Sequence, residues 1–150
     1  MRTGKIQAIA ALGLTAILSG PALAETPDKR GIAAFVAAAQ KATSTGEPED
    51  IEAYVAFMTP DVVDEHVPYG VEFTGRDFFR ENLPNKAQTV VSLTYSLDRI
   101  VRGQDFALVS YDYESIERAG EETVTYTGRW ILSLEYDEAG LVKRIRRFRG

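Results

Sequence analysis

The stretch from Glu121 to Tyr136 alternates between apolar and polar side chains. Its even positions are mostly large and apolar, and its odd positions are mostly polar. A period of two over this length predicts a long antiparallel strand with one buried face. Gly128 interrupts the apolar row just before Trp130, which predicts a bend or a bulge that curls the sheet.

Similar alternation predicts further strands before and after this one. The phase of the first long strand slips at Asp98-Arg99, which predicts a β-bulge. Glycine-containing turns at Gly103, Gly120 and Gly140 separate the later strands. The predicted strands are 62–67, 89–101, 105–117, 121–136 and 141–148.

Helical spacing replaces this alternation nearer the N-terminus. Ile32, Phe35, Val36 and Ala39 form a single apolar stripe, which predicts a helix over 27–42. A second helix is predicted from Pro48, and a third from about 76 to 83, before Pro84. Helices followed by long strands predict an α+β fold, in which a cone-shaped, curved antiparallel sheet wraps over the N-terminal helices.

The first 24 residues read as a signal peptide. Arg2 and Lys5 precede a short apolar run, and Ala22-Leu23-Ala24 is a small-residue cleavage pattern. We therefore expect export to the periplasm or the outside of the cell, with no stable membrane insertion after cleavage and one domain over 25–150. An uncleaved anchor helix is the alternative, although the run is short for a membrane span.

Composition excludes several classes of function. The 150 residues contain no cysteine and one histidine, which leaves no disulfide framework and no thiolate or multi-histidine metal site. Removal of residues 1–24 takes away two basic and no acidic side chains, so the formal net charge falls from −5 to −7. An exported acidic protein is a poor nucleic-acid binder. We expect neither a metal nor a cofactor.

Three segments together resemble the nuclear-transport-factor-2-like superfamily, and within it the SnoaL-like, polyketide cyclase-like branch. They are GEPEDIEAYVAFMTPDVV, PYGVEFTGRDFF and TGRWILSLEYDEAGLVKRIRRF. The resemblance covers essentially the whole chain after the signal peptide. It implies a cystatin-like cone with a pocket between the helices and the concave sheet. The side chains that it points into the pocket are Phe106, Leu108, Ser110, Asp112, Glu114, Tyr126, Trp130, Leu132, Leu134, Ile145 and Arg147.

The catalytic groups of two related enzyme types do not carry over to this sequence. The ketosteroid isomerase positions for two acids and a tyrosine match Val67, Leu132 and Ala39 here. The aspartate that limonene epoxide hydrolases carry on the last strand matches Arg147. The superfamily also contains non-catalytic binding and assembly domains, so the fold alone assigns no activity.

The candidate catalytic residues are His66, Asp64 and Asp112. Imidazole changes charge near neutral pH, and Asp64 lies two residues away on the same strand face, where it could orient His66. An acid such as Asp112 on an apolar concave face could act as a general acid or base. The simpler interpretations are a solvated or structural histidine and an acid at the rim.

The candidate ligand-binding residues are mostly aromatic. Arg147 could pair with Asp112 or hold an anionic ligand, although the basic run 143–149 is explained more simply as a solvated strand. Tyr111 and Tyr113 are predicted to form an outer aromatic stripe, which suggests a homodimer across the sheet. The ligand-binding set is Tyr54, Ser110, Tyr126, Trp130, Leu132 and Arg147.

Three functions remain open from the sequence. The first is an exported domain that binds a small hydrophobic or anionic ligand in the pocket, and this is the interpretation we adopt. The second is a cofactor-independent lyase, isomerase or hydrolase that uses His66 with Asp64 or Asp112. The third is a non-catalytic protein-interaction module that uses the outer sheet face.

Overall fold

The computed structural model describes residues 26–150, so the predicted signal peptide lies outside the described residues. A short 3₁₀ turn at Val67–Tyr69 links the first two strands. The helices are Lys29–Thr45 (α1), Pro48–Val55 (α2) and Arg76–Ala87 (α3). The strands are Met58–His66 (β1), Val71–Thr74 (β2), Val90–Arg102 (β3), Phe106–Ala119 (β4), Glu122–Tyr136 (β5) and Val142–Arg149 (β6).

The ends of the helices follow local chemistry. Asp28 caps α1 by accepting a hydrogen bond from the N–H of Gly31 at 2.7 Å. Gly46 ends the same helix in the left-handed region, with φ at +64°. The prediction that α3 stops before Pro84 is wrong, because α3 continues to Ala87 with Pro84 inside it. Pro84 lacks an N–H and its ring crowds the preceding turn, but the helix continues for three more residues before it ends.

One six-stranded sheet is formed in the order β2-β1-β6-β5-β4-β3. Four of its neighbouring pairs are antiparallel, but β1 and β6 are parallel, with Asp64 opposite Ile145 and His66 opposite Arg147. The predicted α+β fold is therefore confirmed, and its sheet is mixed because this one pair is parallel. Alternation along a strand reports which face is buried, not which strand lies beside it.

The register confirms one predicted irregularity and corrects another. The pairing of β3 with β4 shifts between Leu97 and Arg99, where a bulge is predicted. In contrast, β4 and β5 stay in register from Phe106 to Ala119, so no bulge lies at Gly128. Gly128 instead makes room for a neighbour, since a Cβ there would lie 2.9 Å from the ring of Tyr113.

The two faces of β4 are the reverse of those predicted. Tyr111 is 2 % exposed and lies opposite Trp130 on the concave side. The predicted outer stripe of Tyr111 and Tyr113 is therefore wrong, and the homodimer loses that support. Both rows of β4 contain apolar residues, so a shift of one residue exchanges the faces without breaking the pattern. The residues of β4 that face outward are Phe106, Leu108, Ser110, Asp112 and Glu114.

The core lies between the helices and the concave face of the sheet. Its central side chains include Phe35 of α1, Tyr54 of α2 and Leu134 of β5, each at most 2 % exposed. Ring contacts link Phe35 to Tyr54 at 5.3 Å and Tyr54 to Phe79 of α3 at 5.5 Å. Within residues 26–150, no helix is long and apolar enough to cross a membrane.

Candidate functional site

Two adjoining cavities open on the concave side of the sheet, beneath the helices. The inner cavity has a volume of about 190 Å³ and the outer cavity about 410 Å³. Thr43 of α1, Lys86 of α3 and Tyr95 of β3 line both, so the two form one continuous cleft. The Nζ atom of Lys86 lies 2.6 Å from Oε2 of Glu117, and this ion pair stands where the cavities meet.

A buried ion pair between Asp64 and Arg147 lies at the wall of the inner cavity. Nε of Arg147 lies 2.8 Å from Oδ1 of Asp64, and Nη2 lies 2.9 Å from Oδ2, so the ion pair is bidentate. The side chains of Asp64 and Arg147 are 2 % and 16 % exposed. Parallel pairing of β1 with β6 causes the meeting, because it places inward-facing positions of the two strands side by side.

The ion pair keeps both groups charged. Burial by itself would raise the pKa of Asp64, but the guanidinium of Arg147, with His66, lowers that pKa to about 2. Burial likewise opposes the charge on Arg147, yet the Asp64 carboxylate holds its pKa well above the usual value. At neutral pH Asp64 is therefore ionised and paired with Arg147, and its low pKa makes it a weak general base.

One tyrosine hydroxyl contacts the guanidinium of Arg147, and two further buried tyrosines lie nearby. Nη2 lies 3.4 Å from the hydroxyl oxygen of Tyr54, and burial raises the pKa of Tyr54 to about 12. Burial also raises the pKa of Tyr95 and of Tyr111, whose rings lie 4.6 Å apart. These hydroxyls stay protonated at neutral pH, so Tyr54 can accept from Arg147 and donate its own proton elsewhere. Nη1 of Arg147 donates to no atom of residues 26–150.

His66 lies at the rim of the inner cavity on the same strand face as Asp64. Its Nε2 atom is 3.6 Å from Oδ1 of Asp64, which is beyond a hydrogen bond but within range of an ionic contact. Its ring packs on Phe73 at 5.6 Å and reaches towards Trp130 at 6.5 Å. The side chain is 29 % exposed, so one edge of the imidazole remains accessible from the cleft.

Aromatic side chains form the wall of the outer cavity. Tyr113 and Trp130 are nearly parallel, with ring centroids 6.2 Å apart. Tyr126 is 48 % exposed and continues this wall towards the solvent. On the opposite side, the guanidinium carbon of Arg149 lies 5.1 Å from the ring centre of Tyr69 and its Nη2 contacts the Tyr69 hydroxyl.

The predicted site residues separate into four groups in the structure. The inner cavity brings together Tyr54, Asp64, His66 and Arg147, the outer cavity is lined by Tyr126 and Trp130, and Leu132 lies buried opposite Arg147 in the sheet. Ser110 and Asp112 do not join them, because β4 turns both outward.

The outward residues have partners of their own. Asp112 forms an ion pair with Arg129 at 2.8 Å, and the Ser110 hydroxyl donates to Asp98 at 3.0 Å. The prediction that Asp112 shares a cavity with His66, or that it pairs with Arg147, is wrong. The simpler interpretation, in which Arg147 is one solvated residue of the basic run 143–149, is also wrong, because its side chain faces inward beside Asp64.

Sequence reasoning did not assign Tyr95 and the Lys86–Glu117 pair to the site. Tyr95 stands in the apolar row Val91, Leu93, Tyr95, Leu97 of β3, which is a signal that could have found it. Lys86 follows the proline at which α3 was expected to end, so its position on the last helical turn had no sequence signal.

Comparison with known proteins places the fold. Solved structures with the same fold include an NTF2-like protein from Anabaena variabilis, at 14% identity over 81% of this chain and 87% of that one, with a TM-score of 0.64. Another is an LEH-like epoxide hydrolase of M. tuberculosis, at 19% identity over 81% and 80%, with a TM-score of 0.63. A third, from Catenulispora acidiphila, has a ketosteroid isomerase-like fold and was crystallised with trimethylamine, at 12% identity over 82% and 85%, with a TM-score of 0.61.

Sequence comparison gives the family. No curated protein shows significant sequence similarity to this chain. The family model described as SnoaL-like domain matches residues 32–145, which is most of the chain and includes α2, α3 and nearly all of α1, and it ends two residues before Arg147. The predicted resemblance is confirmed: the chain belongs to the SnoaL-like domain family and has the nuclear-transport-factor-2-like fold.

Proposed function

We propose that this protein binds a small molecule that carries an anionic oxygen group on a flat apolar body. The anionic group would lie in the inner cavity against Arg147, and the apolar body against Trp130 and Tyr113 in the outer cavity. The single observation that carries the proposal is the buried guanidinium of Arg147, whose Nη1 donates to no described residue while the side chain lines the cavity.

The cost of the buried charges supports a functional role. A buried ion pair is often replaceable by apolar residues with no loss of stability, so its presence beside an open cavity favours recognition over packing. Asp64 accepts hydrogen bonds from Nε and Nη2 of Arg147 but not from Nη1. The remaining Nη1 group and the Tyr54 hydroxyl are two donors on one side of the cavity, which suits a carboxylate or an enolate oxygen.

A pair of matched probes tests the charge requirement. We expect 2-naphthoate to raise the thermal midpoint of the protein, since ligands that bind the native state stabilise it, and neutral 2-naphthamide to raise it less. Arg147→Lys keeps a cation for Asp64 but loses the planar fork, so it should weaken naphthoate binding about 10-fold or more, measured by calorimetry.

Arg146 supplies the control, because it precedes Arg147 but faces outward and pairs with Glu65 at 2.9 Å. Arg146→Lys should leave naphthoate binding unchanged. Equal binding of naphthoate and naphthamide, or equal loss in the Arg146 and Arg147 variants, would refute the assignment of the anion site.

Catalysis is a second candidate, favoured by the contact between His66 and Asp64. Asp64 could orient the imidazole, and His66 could then remove a proton beside a carbonyl held by Arg147. Exchange of the α-protons of 2-tetralone in D₂O, followed by NMR, reports such proton transfer directly. The wild-type protein should accelerate exchange and His66→Gln should not. If the wild-type protein does not accelerate exchange above the uncatalysed rate, the catalytic candidate is refuted and ligand binding remains as the proposed function.

We also propose that the protein acts after export. The support is the segment 1–24, with its basic start, apolar run and small-residue end. N-terminal sequencing of the protein recovered from the cell envelope or the medium should begin at Glu25. A protein that keeps Met1 in the cytoplasmic fraction would contradict export.

A further inference from the structure

The ion pair between Lys86 and Glu117 brings a second cation into the cleft. Lys86 lines both the inner and the outer cavity, and Glu117 lines the outer one. Lys86 belongs to the last turn of α3, and Glu117 lies on the concave face of β4, opposite Val90 of β3. The pair therefore reaches from the helix layer to the sheet at the junction of the two cavities.

Both carboxylate oxygens of Glu117 have a hydrogen-bond partner. Oε2 accepts from Nζ of Lys86 at 2.6 Å, and Oε1 accepts from the hydroxyl of Ser115 at 2.8 Å. Burial opposes the charge on Glu117, but the hydrogen bonds from Lys86 and Ser115 lower its pKa below the ordinary value. Since Ser115 is 4 % exposed, Glu117 is held against the sheet and in turn fixes the position of Nζ.

Lys86 has hydrogen-bond donors to spare. An ammonium group has three N–H donors, and among residues 26–150 only Glu117 accepts one from Lys86. The side chain is 44 % exposed and lines both cavities, so its remaining donors are accessible from the cleft. An ion pair this exposed adds little to stability, so stability alone is a weak reason for a lysine at the junction.

Two cations share the wall of the inner cavity. Arg147 lies on β6 and Lys86 on α3, and both line a space of about 190 Å³. A cavity of about 150 Å³ in a protein core accommodates benzene, so the inner cavity accommodates about one aromatic ring. Anionic groups that meet Arg147 and Lys86 at the same time must therefore lie close together on the ligand.

The charges of the outer cavity favour an anionic ligand over a cationic one. Aromatic walls of this kind also bind quaternary ammonium groups through their ring faces. Here Lys86 and Arg149 contribute two cations to the lining, against the one carboxylate of Glu117. Repulsion by these cations disfavours an ammonium ligand and attracts a ligand with a second negative charge.

We propose that the ligand carries two adjacent anionic oxygen groups, one bound by Arg147 and the second by Lys86. This inference rests on the proposed function, because it assigns a second group of the same ligand. An aromatic ring with carboxylates on neighbouring carbons has this arrangement. Lys86 donates to the second carboxylate with the N–H groups that Glu117 does not use, while Ser115 holds Glu117 in place.

Three naphthalene probes test the second anion site. 2-Naphthoate has one carboxylate, naphthalene-2,3-dicarboxylate has two on neighbouring carbons, and naphthalene-2,6-dicarboxylate has two at opposite ends. In calorimetry at neutral pH, we expect the 2,3-isomer to bind about 5-fold more tightly than naphthoate, the effect of an ion pair at a partly exposed position. The 2,6-isomer has the same charge but does not place its second carboxylate at the junction, so it should gain less.

Two substitutions change the junction in opposite directions. Lys86→Gln removes the second cation, so it should bring the affinities for the 2,3-isomer and for naphthoate within about 2-fold of each other. Glu117→Gln keeps a partner for Ser115 but removes the competing carboxylate, so it should widen the difference beyond about 5-fold. Lys143→Gln is the matched control, because Lys143 is exposed and lines neither cavity, and it should leave the wild-type difference unchanged.

The results separate this inference from the proposed function. If naphthoate binds but the 2,3-isomer binds no more tightly, the second anion site is refuted and the anion site at Arg147 remains. An equal gain for the 2,6-isomer, or equal effects of Lys86→Gln and Lys143→Gln, would also rule out Lys86 as the second contact. If neither naphthoate nor the 2,3-isomer binds, the inference and the proposed function fail together.

Discussion

Removing one member of the Asp64–Arg147 pair should cost more stability than removing both. Arg147→Met leaves the Asp64 carboxylate, 2 % exposed, without its cation, and Asp64→Leu leaves the guanidinium without its anion. Breaking a buried pair from one side typically costs about 3–5 kcal/mol, whereas apolar replacement of both members is often neutral or stabilising. We expect each single variant to lose ~3–5 kcal/mol and the double variant to lose less than either.

The pH dependence of unfolding gives a separate estimate of the free energy that ionised Asp64 contributes to stability. The pKa of Asp64 is about 2 in the folded protein against an ordinary value of 3.8, and each pKa unit corresponds to about 1.4 kcal/mol, so ionised Asp64 contributes roughly 2–3 kcal/mol. Because the folded pKa is the lower one, this stability is present above pH ~4 and is lost as the pH falls towards ~2.

The sign should reverse in Arg147→Met. Without its cation, the buried carboxylate has its pKa raised by desolvation, so the variant should lose stability as the pH rises from the pKa of unfolded Asp64 towards the higher pKa of the folded state. Urea unfolding followed by tryptophan fluorescence at several pH values from 2 to 7 measures both effects, with the Asp64→Leu/Arg147→Met variant as control. Additive single costs, or the same pH slope in wild type and Arg147→Met, would refute the reasoning.

Three further changes test local features by urea unfolding. Gly46→Ala should cost more than Gly70→Ala, because both positions have positive φ but only the Cβ at 46 meets a neighbour, at 2.6 Å; equal costs would contradict this. Gly128→Val should cost about 1–3 kcal/mol through collision with Tyr113, and a smaller loss in a Tyr113→Ala background would identify the cause. Thr59→Val should raise stability by ~1 kcal/mol, because the buried hydroxyl has no partner within the described residues; a loss would show that the hydroxyl is satisfied.

The fold was predictable from sequence where one side of each element is clearly apolar. In β5 the even positions are mostly apolar and the odd ones mostly polar, and the structure buries Leu132 and Leu134 as that pattern predicts. In β4 both rows contain large apolar residues, so the alternation could not decide the face. The reversal of β4 moved Asp112 out of the candidate site and brought Tyr113 into the wall of its outer cavity.

The centre of the candidate site was beyond the reach of local patterns. Asp64 and His66 were singled out from their spacing, and they do share the inner cavity. Arg147 lies in a run of basic residues, and nothing in the run distinguishes the inward side chain from Arg146, which faces outward. Its partner became evident only from the parallel pairing of β1 and β6, which depends on the whole topology.

That parallel pair also makes the cleft a late product of folding. Asp64 and Arg147 are 83 positions apart, and closing a loop of that length costs ~4 kcal/mol in chain entropy before any contact is made. The hairpins of β3 to β6 form between near neighbours in the chain, so they can form earlier. The inner cavity and its ion pair should therefore form in the final cooperative step of folding. A partly folded chain would already have the aromatic wall of the outer cavity, but Arg147 would not yet be paired with Asp64.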